Sequence, residues 1–541
     1  MRIWTLAALS AVSLLTVGCT SSFSNKQGAP VEEHVFRYPI NSNPTSFDPG
    51  VVQDGDTIDL LQNVYEGLVT WNEDNQVTGA VAENWDITDG GKTYVFHLRK
   101  GVKFHNGREV KAQDFKWSIE RLMNPKFKSP TATSYLDDIV GVTERKEGKL
   151  PEVTGYQVVD DYTLKIQLKK VTPYFLGKLT YIGSFVLPKE SVPELEEISD
   201  VKQMVGCGPY TVASYAREQE TVLQSFKDYH GGAPKLQKII RPVIKDAMTK
   251  LTKFKNGELD LANLQRQDIE GVEADAALKP MLKLFERPAI WYVAMNQLAY
   301  PPFKDVRVRR AFAMAVDKKE IVENRMGKVN QIANGIVPPG IQGYRPDAKG
   351  IAFNKEEAKK LLAEAGYGPG KPMPPLELYF REAFPDIKLV AEAVAGMLSD
   401  AFNEPGKPKT VDVKLKTLEW RAYLEKFNRK ELPFYHMRWA ADYLDPQNFL
   451  SQMLATWGPE NKLGYNSPQF DKFCREADSQ LDWQKRLPLY AQAEDTALQD
   501  AVWIPIYFQR DAELQRPELV GMRESLFGHL PHTTTDVVKQ P

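Results

Sequence analysis

Two hydrophobic periods alternate along this 541-residue chain, and that alternation limits the fold more than any other feature. Tyr94, Phe96 and Leu98 interleave with Val95, His97 and Arg99 after a Gly90–Gly91 turn, the period-two pattern of a half-buried strand. Leu164, Ile166 and Leu168 alternate with Lys165, Gln167 and Lys169 in the same way. Between them, Phe115, Ile119 and Leu122 recur at helical spacing over 114–123, and Asn124–Pro125 ends the run. Lys103 to Val110 reads as a turn-containing segment around Asn106–Gly107. Asp305 is placed to cap a helix bearing Val308, Phe312, Ala315 and Val316. Asn354 caps another, with Glu357 as capping-box partner and Gly366 as its stop. Helices are expected over 386–402 and 484–501, followed by a compact strand over 503–508. There is no internal repeat. A chain this long, with strands and helices interleaved, folds as several α/β lobes rather than around one core.

Charge excludes one class of function. Lys and Arg total 69 against 71 Asp and Glu, a net charge of −2, which leaves no overall electrostatic footprint for nucleic acid. A hydrophobic share of 42% and a charged share of 26% describe a folded chain, not a disordered one. Three cysteines are too few for a disulfide scaffold or a multi-cysteine zinc module.

The N-terminus carries an address. Arg2 precedes a mostly apolar run from Ile3 to Leu15, and small residues lead to Gly18 and Cys19. This is the three-part build of a secretory signal, and its apolar stretch is too short for a membrane span. The run Leu15-Thr-Val-Gly-Cys19 resembles a bacterial lipobox, with Thr16 where an aliphatic residue is usual. That resemblance implies removal of residues 1–18 and acylation of Cys19. Residues 19–31, small and polar, would then be a flexible tether. The body is expected to be soluble and extracytoplasmic, held to the membrane by lipid alone.

Catalytic motifs are missing. The chain has no H-E-x-x-H helix, no G-x-S-x-G elbow and no G-x-x-x-x-G-K-[ST] loop. The seven histidines are scattered, and His529 with His532 make only a weak metal pair. Cys207 and Cys474 could pair in an oxidising compartment, although nothing local requires it. No enzyme activity, cofactor or metal is expected.

Seven ordered blocks point elsewhere. They are Asn43-Pro-Thr-Ser-Phe-Asp-Pro49, Val64-Tyr-Glu-Gly-Leu68, Ala82-Glu-Asn-Trp85, the strand and loop Tyr94 to Gly107, Val205-Gly-Cys-Gly-Pro-Tyr210, Phe303 to Phe312, and Trp439-Ala-Ala-Asp-Tyr443. The series resembles the family 5 extracellular solute-binding proteins, the oligopeptide and dipeptide receptors of ABC importers. The resemblance implies an α/β fold of the periplasmic-binding-protein type II, with two lobes, an extra domain and the ligand in the interlobe cleft. Lobe I would comprise 32–70, 190–290 and 505–541, the extra domain 71–189, and lobe II 291–504. It also implies a peptide ligand, an ABC permease and its ATPase as partners, and a monomer.

By the same resemblance, Asp442 would anchor the ligand's α-ammonium, a cation with three donors that a carboxylate matches. The alternative is that Asp442 braces its own loop. Trp439 and Tyr443 would form apolar walls or core. Cys207 and Gly208 belong to a tight turn where relatives usually carry Thr in place of the cysteine. Asn43 lies in the first block, near the ligand. Arg438 and His436 are candidates for the ligand's terminal carboxylate. Other ligands on the same scaffold are a metal chelate, haem, an oligosaccharide or an opine. A secreted hydrolase, a cell-wall enzyme or an interaction protein that has lost transport are the rivals from other classes.

Overall fold

A computed structural model describes residues 34–327, 329–382 and 385–539. The expected signal segment and Cys19 lie outside them.

Three sheets organise the chain. In the first, Val35–Arg37 runs parallel to Lys238–Pro242, which pairs antiparallel with Glu220–Ser225, itself paired with Tyr210–Ala216. Val35 lies opposite Lys238, so this unit is assembled from segments far apart in sequence. The second sheet is a local antiparallel one of Ala82–Thr88, Thr93–Leu98, Thr163–Gln167 and Tyr156–Asp160. Gly90 and Gly91, at φ 61° and 97°, make the turn between its first two strands. Tyr94, Phe96 and Leu98 face a core shared with Leu164, Ile166 and the helix Ala112–Leu122, as the two periods require.

The third sheet has seven strands. Its path runs Leu261–Asn263, Trp503–Gln515, Leu282–Met295, Phe434–Ala440, Leu376–Arg381 and Val413–Leu418, with Gln331–Ile332 added to Trp503–Gln515. The pairing is antiparallel through the first four strands and parallel beyond them. Two cores cover its faces. Trp291, Val293 and Met295 enter one, and Ile290, Tyr292 and Ala294 enter the other. A strand buried on both faces reads as a continuous apolar run, as Ala289 to Met295 does.

The lobe boundaries expected at 290/291 and 504/505 fall inside the two longest strands, Leu282–Met295 and Trp503–Gln515. These strands pair along their length, with a register shift between Glu286 and Ile290. The expected helices form over Val306–Met314, Lys355–Glu364, Pro385–Phe402 and Trp483–Gln499. Asp305 accepts from Arg307 N at 2.9 Å, and Asn354 from Glu357 N at 3.1 Å. Gly366 ends its helix at φ 91°. The strand expected over 503–508 continues to Gln515, because its charged second half is matched by partners described below. Cys207 and Cys474 are free, buried in different cores.

Candidate functional site

A cleft of about 910 Å³ takes its walls from residues of all three expected units. That volume lies in the usual range for small-ligand sites.

The segment Phe434–Ala440 and the loop after it supply one wall. A strand alternates its faces. Trp439 therefore turns to the second core, where its Nε1 donates to Asn448 Oδ1 at 3.0 Å. Arg438 and His436 share the other face but differ in depth. Arg438 lines the cleft, and its Nε is buried with no hydrogen-bond partner. Burial, with Arg287 and Arg381 close by, pushes its pKa below the ordinary value. Its neighbour Arg287 already binds Asp511 at 2.5 Å. His436 is 1% exposed, lies against Trp291 with ring centroids 5.3 Å apart, and is outside the cleft lining. Burial lowers its pKa to about 3, so it stays neutral and brings the ligand no charge.

The loop beyond the strand is braced by several residues, Asp442 among them. Asp445 accepts from Gln447 N at 2.9 Å and receives both guanidinium nitrogens of buried Arg486 at 2.7 and 2.9 Å. Asn448 Oδ1 accepts the backbone N–H of Asp442 at 3.1 Å. The Asp442 carboxylate is left facing the cleft. It accepts from Tyr135 Oη at 3.2 Å, Gln452 Nε2 at 3.2 Å and Asn448 Nδ2 at 3.4 Å. All three donors are neutral, and no ion pair to it is found among the described residues. Burial raises its pKa, since nothing nearby fully offsets the lost hydration.

The other residues singled out in the sequence lie off the cleft wall. Tyr443 is 3% exposed, bonds Gln447 and Gln452 through its hydroxyl, and stacks on Tyr174 with centroids 5.3 Å apart. Cys207 is fully buried in the core beside the antiparallel sheet, where burial pushes the thiol pKa up. Gly208 is needed for close approach, because a Cβ there would sit 2.8 Å from Asn63 O. Asn43 is held by Glu218, whose N–H donates to its Oδ1 at 2.7 Å. These contacts give each residue a structural task.

Thr45, Tyr65, Glu66 and Gly67 reach the cleft from two of the ordered blocks, and other cleft residues had no local signal. Tyr135 stacks on Tyr181 at 3.7 Å, and Trp71 meets Phe527 at 5.8 Å. Asp54, Asp56, Ile58 and Asp59 come from the helix Gly55–Leu61 and its cap. His529 and His532 form no metal pair. His532 bonds Tyr38 Oη at 3.0 Å and Thr535 at 3.1 Å, and His529 bonds Glu513 at 3.1 Å. Glu513, Glu524 and His529 do bring three ligand-type atoms within 4.8 Å of one another. Gln515 bonds both of those carboxylates, at 2.6 and 3.2 Å, which satisfies the set internally.

A cleft walled by aromatic and charged side chains is the kind of site a solute-binding protein carries. The chain belongs to the bacterial extracellular solute-binding proteins of family 5, whose middle-region model matches residues 76–461. The periplasmic oligopeptide-binding protein OppA of Escherichia coli is 31% identical, over 89% of this chain and 88% of that protein. The heme-binding protein A of Haemophilus influenzae is 29% identical, over 98% of each chain. The solved structure of the Escherichia coli murein tripeptide-binding protein MppA superposes with a TM-score of 0.76 at 27% identity, covering 95% of this chain and 100% of that one. The fold is the type II periplasmic-binding-protein fold, two-lobed with mixed α/β content. Members of the family are extracytoplasmic substrate-binding transport proteins, and no helix among the described residues is long and apolar enough to cross a membrane.

Proposed function

We propose that the protein is a lipid-anchored extracytoplasmic receptor that takes up peptides in this cleft and delivers them to an ABC permease. The observation that carries this reading is the Asp442 carboxylate, half-buried on the cleft wall, surrounded by neutral donors and matched by no cation. A peptide's α-ammonium supplies the missing charge and three donors. Arg438, unpaired four residues upstream, would take the terminal carboxylate. Four extended residues span at most about 14 Å, which suits a short peptide. The backbone between would pair as an added strand, reading length and direction more than side-chain identity. In this reading lobe I is 32–70, 190–290 and 505–541, the extra domain 71–189 and lobe II 291–504. The paired strands Leu282–Met295 and Trp503–Gln515 act as the hinge. Acylated Cys19 tethers a monomer to the membrane.

The relative named as heme-binding motivates a second reading. A ligand with carboxylates and no ammonium would use Arg438 and leave Asp442 unmatched. Native mass spectrometry of the purified protein, with the co-purified ligand released and identified, separates the two. Binding of no peptide from a broad pool would sink the peptide reading.

A further inference from the structure

The charges lining the cleft do not balance, and the imbalance has a sign. Four carboxylates on its walls have basic partners, two of them arginines and two histidines that carry charge only when protonated. Asp59 holds Arg241 at 2.8 Å, Asp511 holds Arg287 at 2.5 Å, Glu66 holds His230 at 2.7 Å and Glu513 holds His529 at 3.1 Å. Three others, Asp54, Asp56 and Asp442, have none among the described residues. Their contacts are neutral. Asp54 caps the helix Gly55–Leu61 by accepting from Thr57 N at 2.9 Å, and Asp56 accepts from Asn41 Nδ2 at 2.8 Å.

Nearby cations stand outside the cleft lining. Lys250 gives its ammonium to the neutral Asn41 oxygen and lies within the field of Asp56. Lys178 is held by Asp138 at 2.5 Å and Asp137 at 3.1 Å. Of the cleft's arginines, Arg241 and Arg287 are paired and Arg438 is not. Three unmatched carboxylates thus face one unmatched guanidinium. A zwitterionic peptide cancels one of each, Asp442 and Arg438. Asp54 and Asp56 remain.

Both border the cleft at the start of the helix, Asp54 as its cap and Asp56 in its first turn, with Ile58 and Asp59 a turn further on. Asp54 also lies close to the ammonium end. Tyr181 feels the field of both Asp54 and Asp442, and it stacks on Tyr135, whose hydroxyl donates to Asp442. A flexible cationic side chain entering beside the bound ammonium would therefore meet two carboxylates and an aromatic face.

We infer that the cleft selects peptides bearing a Lys or Arg side chain, with Asp54 and Asp56 as the residues that receive it. The inference rests on the peptide reading and narrows its substrate class. Selection acts in both directions. A basic side chain relieves two like charges that closure would otherwise desolvate, whereas an acidic one adds a third. The effect is electrostatic and weakens as salt rises.

The test is calorimetric titration of the full chain with Ala-Lys-Ala, Ala-norleucine-Ala and Ala-Glu-Ala, repeated with the variable residue first and third. It is run on the wild type and on the Asp54→Asn/Asp56→Asn variant, in which Asn still caps the helix. The wild type is expected to favour Lys over norleucine by about fivefold at one position or more, the upper end for a partly exposed ion pair. Glu should bind more weakly than either. The Lys-to-norleucine ratio should fall to about one in the double variant. Equal affinity for Lys and norleucine at every position of the wild type would overturn the inference and leave the peptide reading standing. A preference that survives in the double variant would overturn the assignment to these residues. Failure of every tripeptide to bind the wild type would remove the peptide reading itself.

Discussion

The sharpest consequence of the cleft concerns Asp442 and is best read as a double perturbation. One change is Asp442→Asn in the protein, and the other is N-acetylation of the peptide. Asp442 receives three neutral hydrogen bonds of 3.2, 3.2 and 3.4 Å, which return only part of the hydration lost on burial. An ammonium about 4 Å away is worth about 4 kcal/mol at an effective dielectric near 20. Desolvating the ammonium takes back some of that. A net coupling of about 2–3 kcal/mol corresponds to roughly 30- to 150-fold in affinity. Acetylation should therefore weaken binding by that factor in the wild type and by little in Asp442→Asn.

The pH dependence has a definite sign. Burial holds the Asp442 carboxyl above its ordinary pKa in the empty cleft, and a bound ammonium would pull it down. Between those two values binding releases a proton, so affinity rises with pH and levels off above the empty-cleft value. Titration calorimetry in two buffers of different ionisation heat measures both affinity and proton release. If acetylation costs the same in wild type and variant, and neither releases a proton, Asp442 braces the loop and the anchoring argument fails.

Other expectations are simpler to state. Arg438→Met should weaken peptides with a free carboxylate by tenfold or more and spare C-amidated ones, since the lost partner is a charge-assisted bond; competition binding reads the difference (about 1.4 kcal/mol per tenfold). Asp478 is partly buried, accepts from Ser451 Oγ and Tyr490 Oη at 2.7 Å each, and has its pKa raised to about 6 by desolvation. Its folded value lies above the unfolded one of about 3.9, so its favourable contribution is complete below that value and is lost as pH rises through 6. Asp478→Asn should then stabilise the protein above pH 6 by an order-of-magnitude 3 kcal/mol and do nothing near pH 4, which urea melts at the two pH values would test. Cys19→Ser should abolish palmitate labelling and move the protein from the membrane to the soluble fraction; retention of label would place the acyl group elsewhere.

How much of this was legible in the chain depends on what each residue faces. The strands Thr93–Leu98 and Thr163–Gln167 announce themselves because one face is buried and the other is wet. The strand Trp503–Gln515 announces only its apolar half. Beyond Phe508 its charges look like a loop, yet Arg510 binds Glu286 at 2.6 Å, Asp511 binds Arg287 and fully buried Glu513 binds His529. Partners more than 200 residues away in sequence satisfy Arg510 and Asp511, and no local pattern reports them. The cleft wall divides in the same way. Asp442 was reachable because a recognisable block surrounds it. Its neighbours Trp439 and Tyr443 share the block but are turned into the core by strand alternation and by stacking on Tyr174, while His436 lies deeper on the face it shares with Arg438. Asp54, Asp56 and Tyr135 are ordinary residues in sequence. Only the fold brings them to one cleft.

The placement of the charges bears on how closure would be driven. Asp442 and Arg438 come from the strand and loop after Phe434, while Asp54 and Asp56 come from the cap and first turn of the helix Gly55–Leu61. Direct contacts that tie the expected units together across the cleft include Tyr135 on Asp442, Phe527 on Trp71 and the Leu526 N–H on Asn75 Oδ1 at 2.7 Å. Single hydrogen bonds of this kind contribute about 1 kcal/mol each. A ligand shifts the open–closed equilibrium only by its differential affinity for the closed form. Two termini fixed to one wall supply affinity but no difference between open and closed. A basic side chain that reaches Asp54 and Asp56 only when the walls approach supplies the difference. The residues that select the side chain would then also set how completely the receptor closes, and variants at Asp54 and Asp56 should lose ligand-induced compaction in small-angle scattering even at saturating peptide.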